Sequence, residues 1–104
     1  MRPSVSITED GRSGHVVYNQ GLRSITGYWE FGGHDVVTIV SMGTRAEWDR
    51  AHGWAVERRA EILRFVADEV VRQRAPSCTA EIDPERGDIH ILLGPGPGAR
   101  KTAG

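Results

Sequence analysis

The stretch that decides the fold is MGTRAEWDRAHGWAVERRAEILRFVADEVVRQRAP, residues 42–76. Thr44 followed by Glu47 has the form of a capping box, in which both side chains satisfy backbone N–H groups of a first helical turn. Pro76 ends the pattern, because proline has no N–H to continue a helix. The apolar residues between these signals fall on one side of a helix: Trp48, Ala51, Ala55, Ile62, Leu63, Val66, Ala67 and Val70. We therefore expect an amphipathic helix that packs on a sheet.

Gly53 raises the question of whether this helix is continuous. Glycine costs about 1 kcal/mol relative to alanine inside a helix, but it is favoured just beyond a helix C-terminus. A break at His52-Gly53 is therefore the preferred prediction. The alternative is one helix of about 30 residues, because Trp48 and Ala55 stay in phase with Ile62.

Strand patterns precede the helix. Residues 4–8 alternate apolar and polar side chains and predict a short first strand. Residues 15–19 and 22–31 flank the two-residue connection Gln20-Gly21, which predicts a hairpin. A pair of glycines then leads to the β-branched run 35–40, so we expect an antiparallel meander.

Two further strand patterns follow the helix. Residues 77–83 and 88–93 are separated by the turn sequence Pro84-Glu85-Arg86-Gly87, which predicts a C-terminal hairpin. The predicted fold is α+β: one antiparallel sheet, made of the meander and the hairpin, packed by one long or broken amphipathic helix. Whether the first strand joins the sheet stays open. Residues 1–93 are expected to form a single domain, and residues 94–104 a flexible tail rich in glycine and proline.

The alternation within the strands predicts the core face of the sheet. Ile25, Trp29 and Phe31 share one face of the long strand, and we expect that face to be buried. The neighbouring strands complete the expected apolar surface with Val37, Ile39, Ile89 and Ile91. Tyr28 and Glu30 lie on the opposite face, which is expected to be mixed and partly solvated.

The composition is ordinary for one globular domain. Of the 104 residues, 38% are hydrophobic and 26% charged, and 13 basic side chains nearly balance 14 acidic ones. The formal net charge of −1 gives no overall field to attract nucleic acid or an acidic membrane. No run approaches the ~20 apolar residues of a membrane span, and residues 1–10 lack the apolar region of a signal peptide. We therefore expect a cytoplasmic protein without membrane contact.

Two aromatic residues of the helix lie away from its main apolar side and predict an interaction surface. Trp54 and Phe65 share a side of the helix with Arg58 and Arg72. Tryptophan, phenylalanine and arginine are enriched at protein interfaces. The alternatives are that loops cover these aromatics or that a helix break turns Trp54 inward.

Arg59 lies within the apolar side of the helix, where an unpaired charge would be costly. One interpretation is a binding residue at the sheet edge that reaches a ligand or a carboxylate such as Glu30. The other is a packed stem with its guanidinium in water. A second functional hypothesis therefore places a small-ligand site between helix and sheet or at a subunit interface. Its candidate residues are Arg59, Glu30, Tyr28, His34, Trp48 and Trp29.

The sequence shows no recognisable catalytic or metal-binding motif. The four histidines are too widely spaced for a helical ligand pair, and Cys78 has no partner of the Cys-x-x-Cys type. Cys78 also follows the helix C-terminus, where the helix dipole disfavours a thiolate. We therefore expect no metal, no cofactor and no catalytic residue.

The preferred functional hypothesis is a non-catalytic protein-interaction domain of a small binding, inhibitor or adaptor type. Its partner would be another protein or a second copy of the chain. The alternative is a small-ligand-binding domain or small enzyme that uses the pocket described above. Nucleic acid is not the expected partner: arginine outnumbers lysine twelve to one, which suits phosphate recognition, but high genomic G+C content explains this equally well.

Overall fold

The computed structural model describes residues 2–33 and 35–94, which form one antiparallel sheet with a helical layer on one face. The strands are β1 (Ser4–Ile7), β2 (Ser13–Gln20), β3 (Arg23–Phe31), β4 (Val36–Ser41), β5 (Thr79–Asp83) and β6 (Asp88–Leu92). The helical segment consists of α1 (Arg45–Ala51), a 3₁₀ helix (Gly53–Arg58) and α2 (Arg59–Arg74). The α+β fold class expected from the sequence is confirmed.

The six strands follow the order β1-β2-β3-β4-β6-β5, and every pair of neighbours is antiparallel. β1 pairs with β2 and forms one edge, so the first strand belongs to the sheet. β5 forms the other edge. The predicted meander and C-terminal hairpin are therefore both confirmed.

The turn between β2 and β3 consists of Gly21 and Leu22, one residue later than the sequence pattern suggested. Gln20 and Arg23 close the hairpin as its last pair. The two favoured types of two-residue turn both need a positive φ at the first central residue. Gly21 has a φ of 64° and takes that position, which places Leu22 second in the turn instead of inside the strand.

The helical segment breaks where the sequence predicted. The Thr44 hydroxyl accepts a bond from the Glu47 backbone N–H, and the Glu47 carboxylate accepts one from the Thr44 N–H, so the capping box is confirmed. His52 ends α1, and the 3₁₀ helix starts at Gly53. Ala51 is exposed and does not join the apolar side, because the break removes it from the phase of α2. Among the described residues, no helix has the length and apolar character to span a membrane.

The core lies between α2, Trp48 and one face of the sheet. The buried apolar residues are Val5, Val16, Tyr18, Ile25, Trp29, Val40, Met42, Trp48, Ala55, Ile62, Leu63, Val66, Ala67, Val70, Ile89 and Ile91. The sequence therefore identified the buried face of α2 correctly. It also identified Ile25, Trp29, Ile89 and Ile91 in the sheet.

Three residues expected in the core lie elsewhere. Trp29 pairs with Val40, so Val40 shares the core face and Ile39 takes the outer face opposite Glu30. An irregularity between Val36 and Thr38 interrupts the alternation, and Val37 and Ile39 are only half-buried. Phe31 is 48% exposed at the end of β3 and packs edge-to-face with Trp29, with the ring centroids 5.5 Å apart.

Candidate functional site

The tip of the β2–β3 hairpin carries a fully exposed leucine. Leu22 has a relative exposure of 107%, the highest of the exposed large apolar residues in the described part of the chain. Its position in a two-residue turn projects the side chain away from the sheet. Arg23 follows at once as the first residue of β3. A shallow depression of 390 Å³ separates this hairpin from the 3₁₀ helix.

The 3₁₀ helix holds an aromatic ring against the hairpin. The guanidinium of Arg23 lies over the ring of Trp54, 5.2 Å from its centroid. Arg58 Nη1 donates a hydrogen bond to the side-chain oxygen of Gln20 at 2.8 Å. These two contacts connect the hairpin to the helical segment. We call Leu22, Arg23, Trp54 and Arg58 the hairpin-tip surface.

The charges of the hairpin-tip surface differ in how far they are neutralised. Arg58 forms an ion pair with Glu61 at 2.7 Å, and this hydrogen bond raises the pKa of Arg58. Arg23 forms no ion pair with any acidic side chain in the described residues and is stacked only on Trp54. The surface therefore has one arginine without a counterion beside a half-buried tryptophan.

The four residues that the sequence predicted as an interface are only partly together. Trp54 and Arg58 belong to the hairpin-tip surface. Phe65 is half-buried and packs edge-to-face on Tyr18, with the ring centroids 5.9 Å apart, so it covers the sheet next to the core. Arg72 lies about two helical turns beyond Phe65 and pairs with Glu69 at 2.7 Å.

A second concave surface lies on the other side of β3. β4 ends at Ser41, which pairs with Tyr28, so residues 23–27 of β3 have a strand neighbour only in β2. A cleft of 690 Å³ occupies this position. Its lining comes from β3, the start of β6 and one side of α1: His15, Thr26, Gly27, Tyr28, Ser41, Met42, Gly43, Thr44, Glu47, Trp48, Ala51, His52, Arg86 and Asp88. We call it the β3–α1 cleft.

The β3–α1 cleft contains two of the residues predicted for a ligand site. Tyr28 and Trp48 both line it, and the ring of His15 lies edge-on to Tyr28 at 6.4 Å. Hydrogen bonds from Thr44 hold the pKa of Glu47 below its usual range, so the start of α1 carries a carboxylate at neutral pH. Glu30 pairs with Ser13 and Ile39 outside the lining of the cleft.

Two other predicted site residues do not line the β3–α1 cleft. Trp29 lines a separate apolar cavity of 210 Å³, near the C-terminal end of α2, where its indole N–H donates to the Thr8 carbonyl at 2.7 Å. His34 lies outside the described residues, as do residues 95–104 of the predicted tail. The two tryptophans therefore contribute to different cavities.

Arg59 is buried and binds the backbone of the chain itself. The residue is 4% exposed, so its guanidinium does not lie in water, and it does not reach Glu30. Its two terminal nitrogens donate to the backbone carbonyls of Pro84 and Gly43, and burial lowers its pKa. The guanidinium also lies over the ring of Trp48 at 5.4 Å.

Through these contacts Arg59 links the β4–α1 connection to the β5–β6 turn. A side chain at Gly87 would collide with the Gly43 carbonyl and would lie 3.1 Å from Arg59 Nη2. Arg59 therefore positions backbone segments beside the β3–α1 cleft without lining the cleft itself.

The polar side chains of the β3–α1 cleft can donate and accept hydrogen bonds. Arg86 and Asp88 form an ion pair at 3.7 Å on one side of it. Within residues 2–33 and 35–94, no group of three or more His, Cys, Asp or Glu side chains has the arrangement of a metal site. The polar lining of the cleft can therefore form hydrogen bonds with a bound molecule.

Comparisons with known proteins give no relative. No protein-family model matches the chain, and neither a curated protein nor a solved structure matches it.

Proposed function

We propose that this chain is a non-catalytic protein-interaction domain that binds another protein through the hairpin-tip surface. The observation that carries the proposal is the full exposure of Leu22 next to the Arg23–Trp54 stack. Single exposed apolar residues are common on protein surfaces. The combination of an exposed leucine, a half-buried indole and two arginines is less so, and tryptophan and arginine are the residues that dominate binding energy at interfaces.

The hairpin-tip surface is held in place before any partner binds. The two-residue turn fixes the backbone of Leu22, and the Arg58–Gln20 hydrogen bond and the Arg23–Trp54 stack fix the hairpin against the 3₁₀ helix. Immobilising a flexible side chain on binding costs about 0.5–1.5 kcal/mol. Because Arg23, Trp54 and Arg58 already have partners, the cost of ordering these three side chains is reduced.

The chemistry of the surface indicates what it would bind. Arg23 has no acidic partner in the described residues, so a carboxylate of a partner can approach it from solvent. Leu22 contributes to the binding free energy only if its side chain is removed from water. The partner therefore needs an apolar cavity that accepts this side chain within the same contact. The expected partner is therefore a protein surface with an apolar cavity beside acidic side chains.

Affinity capture from a lysate of the source organism tests this proposal. The baits are the parent chain, the double variant Leu22→Ser/Arg23→Glu, and the control Arg12→Glu. Arg12 is a suitable control because its guanidinium also lies over an exposed aromatic ring, that of Phe31, at 5.7 Å. We expect a protein with an acidic surface to be retained by the parent and the control and lost from the double variant.

Two outcomes of the capture experiment would contradict the proposal. If all three folded baits retain the same proteins, binding does not use the hairpin-tip surface. If the parent retains only itself, sedimentation of the parent and the double variant decides whether the surface serves self-association. Circular dichroism melts of all baits ensure that a lost partner reflects the surface and not unfolding.

A further inference from the structure

We propose that the β3–α1 cleft binds an extended polypeptide segment, which adds to the open edge of β3 as an extra strand. The site is separate from the hairpin-tip surface and does not depend on it. Strand addition is a known mode of peptide recognition, in which backbone hydrogen bonds supply affinity and side-chain pockets supply specificity.

The direction of the backbone groups in β3 follows from two hydrogen bonds. Phe31 N donates to Arg12 O at 3.3 Å, toward the β2 side, whereas Gly32 N donates to Val37 O at 3.0 Å, toward the β4 side. Backbone groups alternate along an antiparallel strand. Even-numbered residues of β3 therefore direct their N–H and C=O groups toward β4. For Ser24 and Thr26 this side has no strand, because the pairing with β4 begins at Tyr28.

The chain leaves the β3 edge after Met42. Met42 N donates to Gly87 O at 2.9 Å, which continues the β4–β6 ladder, and Met42 still packs against Gly27. Arg45 N donates to Glu85 O at 3.2 Å, so the following connection lies against the β5–β6 turn. The Arg59 bond to the Gly43 carbonyl fixes the same connection. In the part of the chain that the structure describes, Ser24 and Thr26 thus have no backbone partner on the β4 side.

The β3–α1 cleft lies beside the open edge of β3. The pairing of Ser41 with Tyr28 and Asp88 marks the end of the strand next to β3, so the position beside Ser24 and Thr26 holds no strand. Across from this edge the cleft is lined by α1 and by Arg86 of the β5–β6 turn. The space therefore lies between the β3 edge and these two elements. A single extended segment therefore fits better than the edge of a second sheet.

The cleft also restricts the sequence of its occupant. Ala51 presents little side-chain volume to the cleft, whereas the space in front of Gly27 is filled by Met42. The occupant needs N–H groups to pair with β3, so proline is excluded from the paired positions. The chain's own sequence 94–98, Gly-Pro-Gly-Pro-Gly, is poorly suited for this reason. The expected occupant is a proline-free segment of another protein.

Amide hydrogen exchange of the intact chain gives the first test. We expect Ser24 and Thr26 to exchange rapidly and Ile25 and Gly27, which face β2, to exchange slowly. Slow exchange at Ser24 and Thr26 would overturn the proposal, because the edge would already be covered by a second copy or by the chain's own tail.

Peptides selected from a displayed library of random short sequences give the second test. Their affinities are measured for the parent, Ala51→Arg and Ala46→Arg. Both alanines are exposed residues of α1, but only Ala51 lines the cleft. We expect Ala51→Arg to weaken binding about tenfold or more. We expect Ala46→Arg and Leu22→Ser to leave it unchanged, and the peptide to slow exchange at Ser24 and Thr26.

Three results would contradict the proposed binding of a peptide in the β3–α1 cleft. If no peptide is enriched, if Ala51→Arg binds as Ala46→Arg does, or if exchange slows only at other residues, the proposal is wrong. Loss of binding in Leu22→Ser would assign the peptide to the hairpin-tip surface instead. Failure here would leave the proposed interaction through Leu22 untouched.

Discussion

The indole N–H of Trp48 donates a hydrogen bond to the backbone carbonyl of Ala55 at 3.1 Å, across the break between α1 and the 3₁₀ helix. Both residues are completely buried. Ala55 lies in the 3₁₀ helix, so this bond joins α1 to the segment beyond the break. Trp48 therefore connects the two sides of the break while its ring fills the core beneath them.

Replacing Trp48 by phenylalanine should separate these two roles. Trp48→Phe keeps an aromatic ring but removes the hydrogen bond to the Ala55 carbonyl, so we expect a loss of about 0.5–1.5 kcal/mol in the free energy of unfolding. Urea denaturation measures it. Trp54→Phe is the control, because Trp54 is only half-buried. Equal losses for the two variants would show that the hydrogen bond of Trp48 contributes nothing measurable.

Replacing Arg59 by lysine should destabilise the fold although the charge is kept. Lysine lacks the planar fork that reaches the carbonyls of Gly43 and Pro84 together. We expect Arg59→Lys to lower the free energy of unfolding by about 1–3 kcal/mol. Arg64→Lys, in an exposed ion pair with Asp68, should change it by less than about 0.5 kcal/mol. An unchanged free energy of unfolding in Arg59→Lys would show that the hydrogen bonds of Arg59 to these two carbonyls do not stabilise the fold.

The contrast between these residues shows which parts of the structure the sequence could predict. Thr44, Glu47 and Gly53 act through local backbone chemistry, so the capping box and the helix break were predictable. The role of Arg59 was not, because its acceptors lie 16 and 25 residues away in the chain. No local pattern shows which carbonyls a buried arginine will meet.

The candidate surfaces had weaker signals in the sequence. The need for a positive φ at the first turn position could have placed Leu22 in the turn, because Gly21 is the residue suited to that position. The unequal lengths of β3 and β4 indicate that one strand extends beyond the other. Which end of β3 lacks a neighbour in β4 depends on register, however, and register arises from packing. The same limit explains why Val40, and not Ile39, entered the core.

Two glycines in left-handed conformations should respond differently to alanine. Gly11 and Gly87 have φ angles of 70° and 72°, so alanine at either position costs about 1–2 kcal/mol of conformational strain. Nothing lies within 4 Å of a side chain at Gly11, but one at Gly87 meets the Gly43 carbonyl. We expect Gly87→Ala to cost about 1–3 kcal/mol more than Gly11→Ala in urea denaturation. Equal costs would contradict the close approach of the two loops.

Glu69 should make stability depend on pH in acid. Hydrogen bonds from Arg72 lower the pKa of Glu69 from its ordinary value of 4.5 to about 2. The unfolded chain therefore binds the proton more readily than the folded chain, and stability rises with pH between these values. The contribution is complete above pH 4.5 and is lost as the pH falls through about 2.

Glu69→Gln isolates this contribution, because glutamine cannot titrate. The difference in free energy of unfolding between parent and Glu69→Gln should be largest above pH 4.5 and should shrink toward pH 2. Added salt should reduce the difference, since Arg72 is largely exposed and the pair is screened. Urea denaturation across this pH range measures it. A difference that does not change with pH would show that the Glu69–Arg72 pair is not formed in solution.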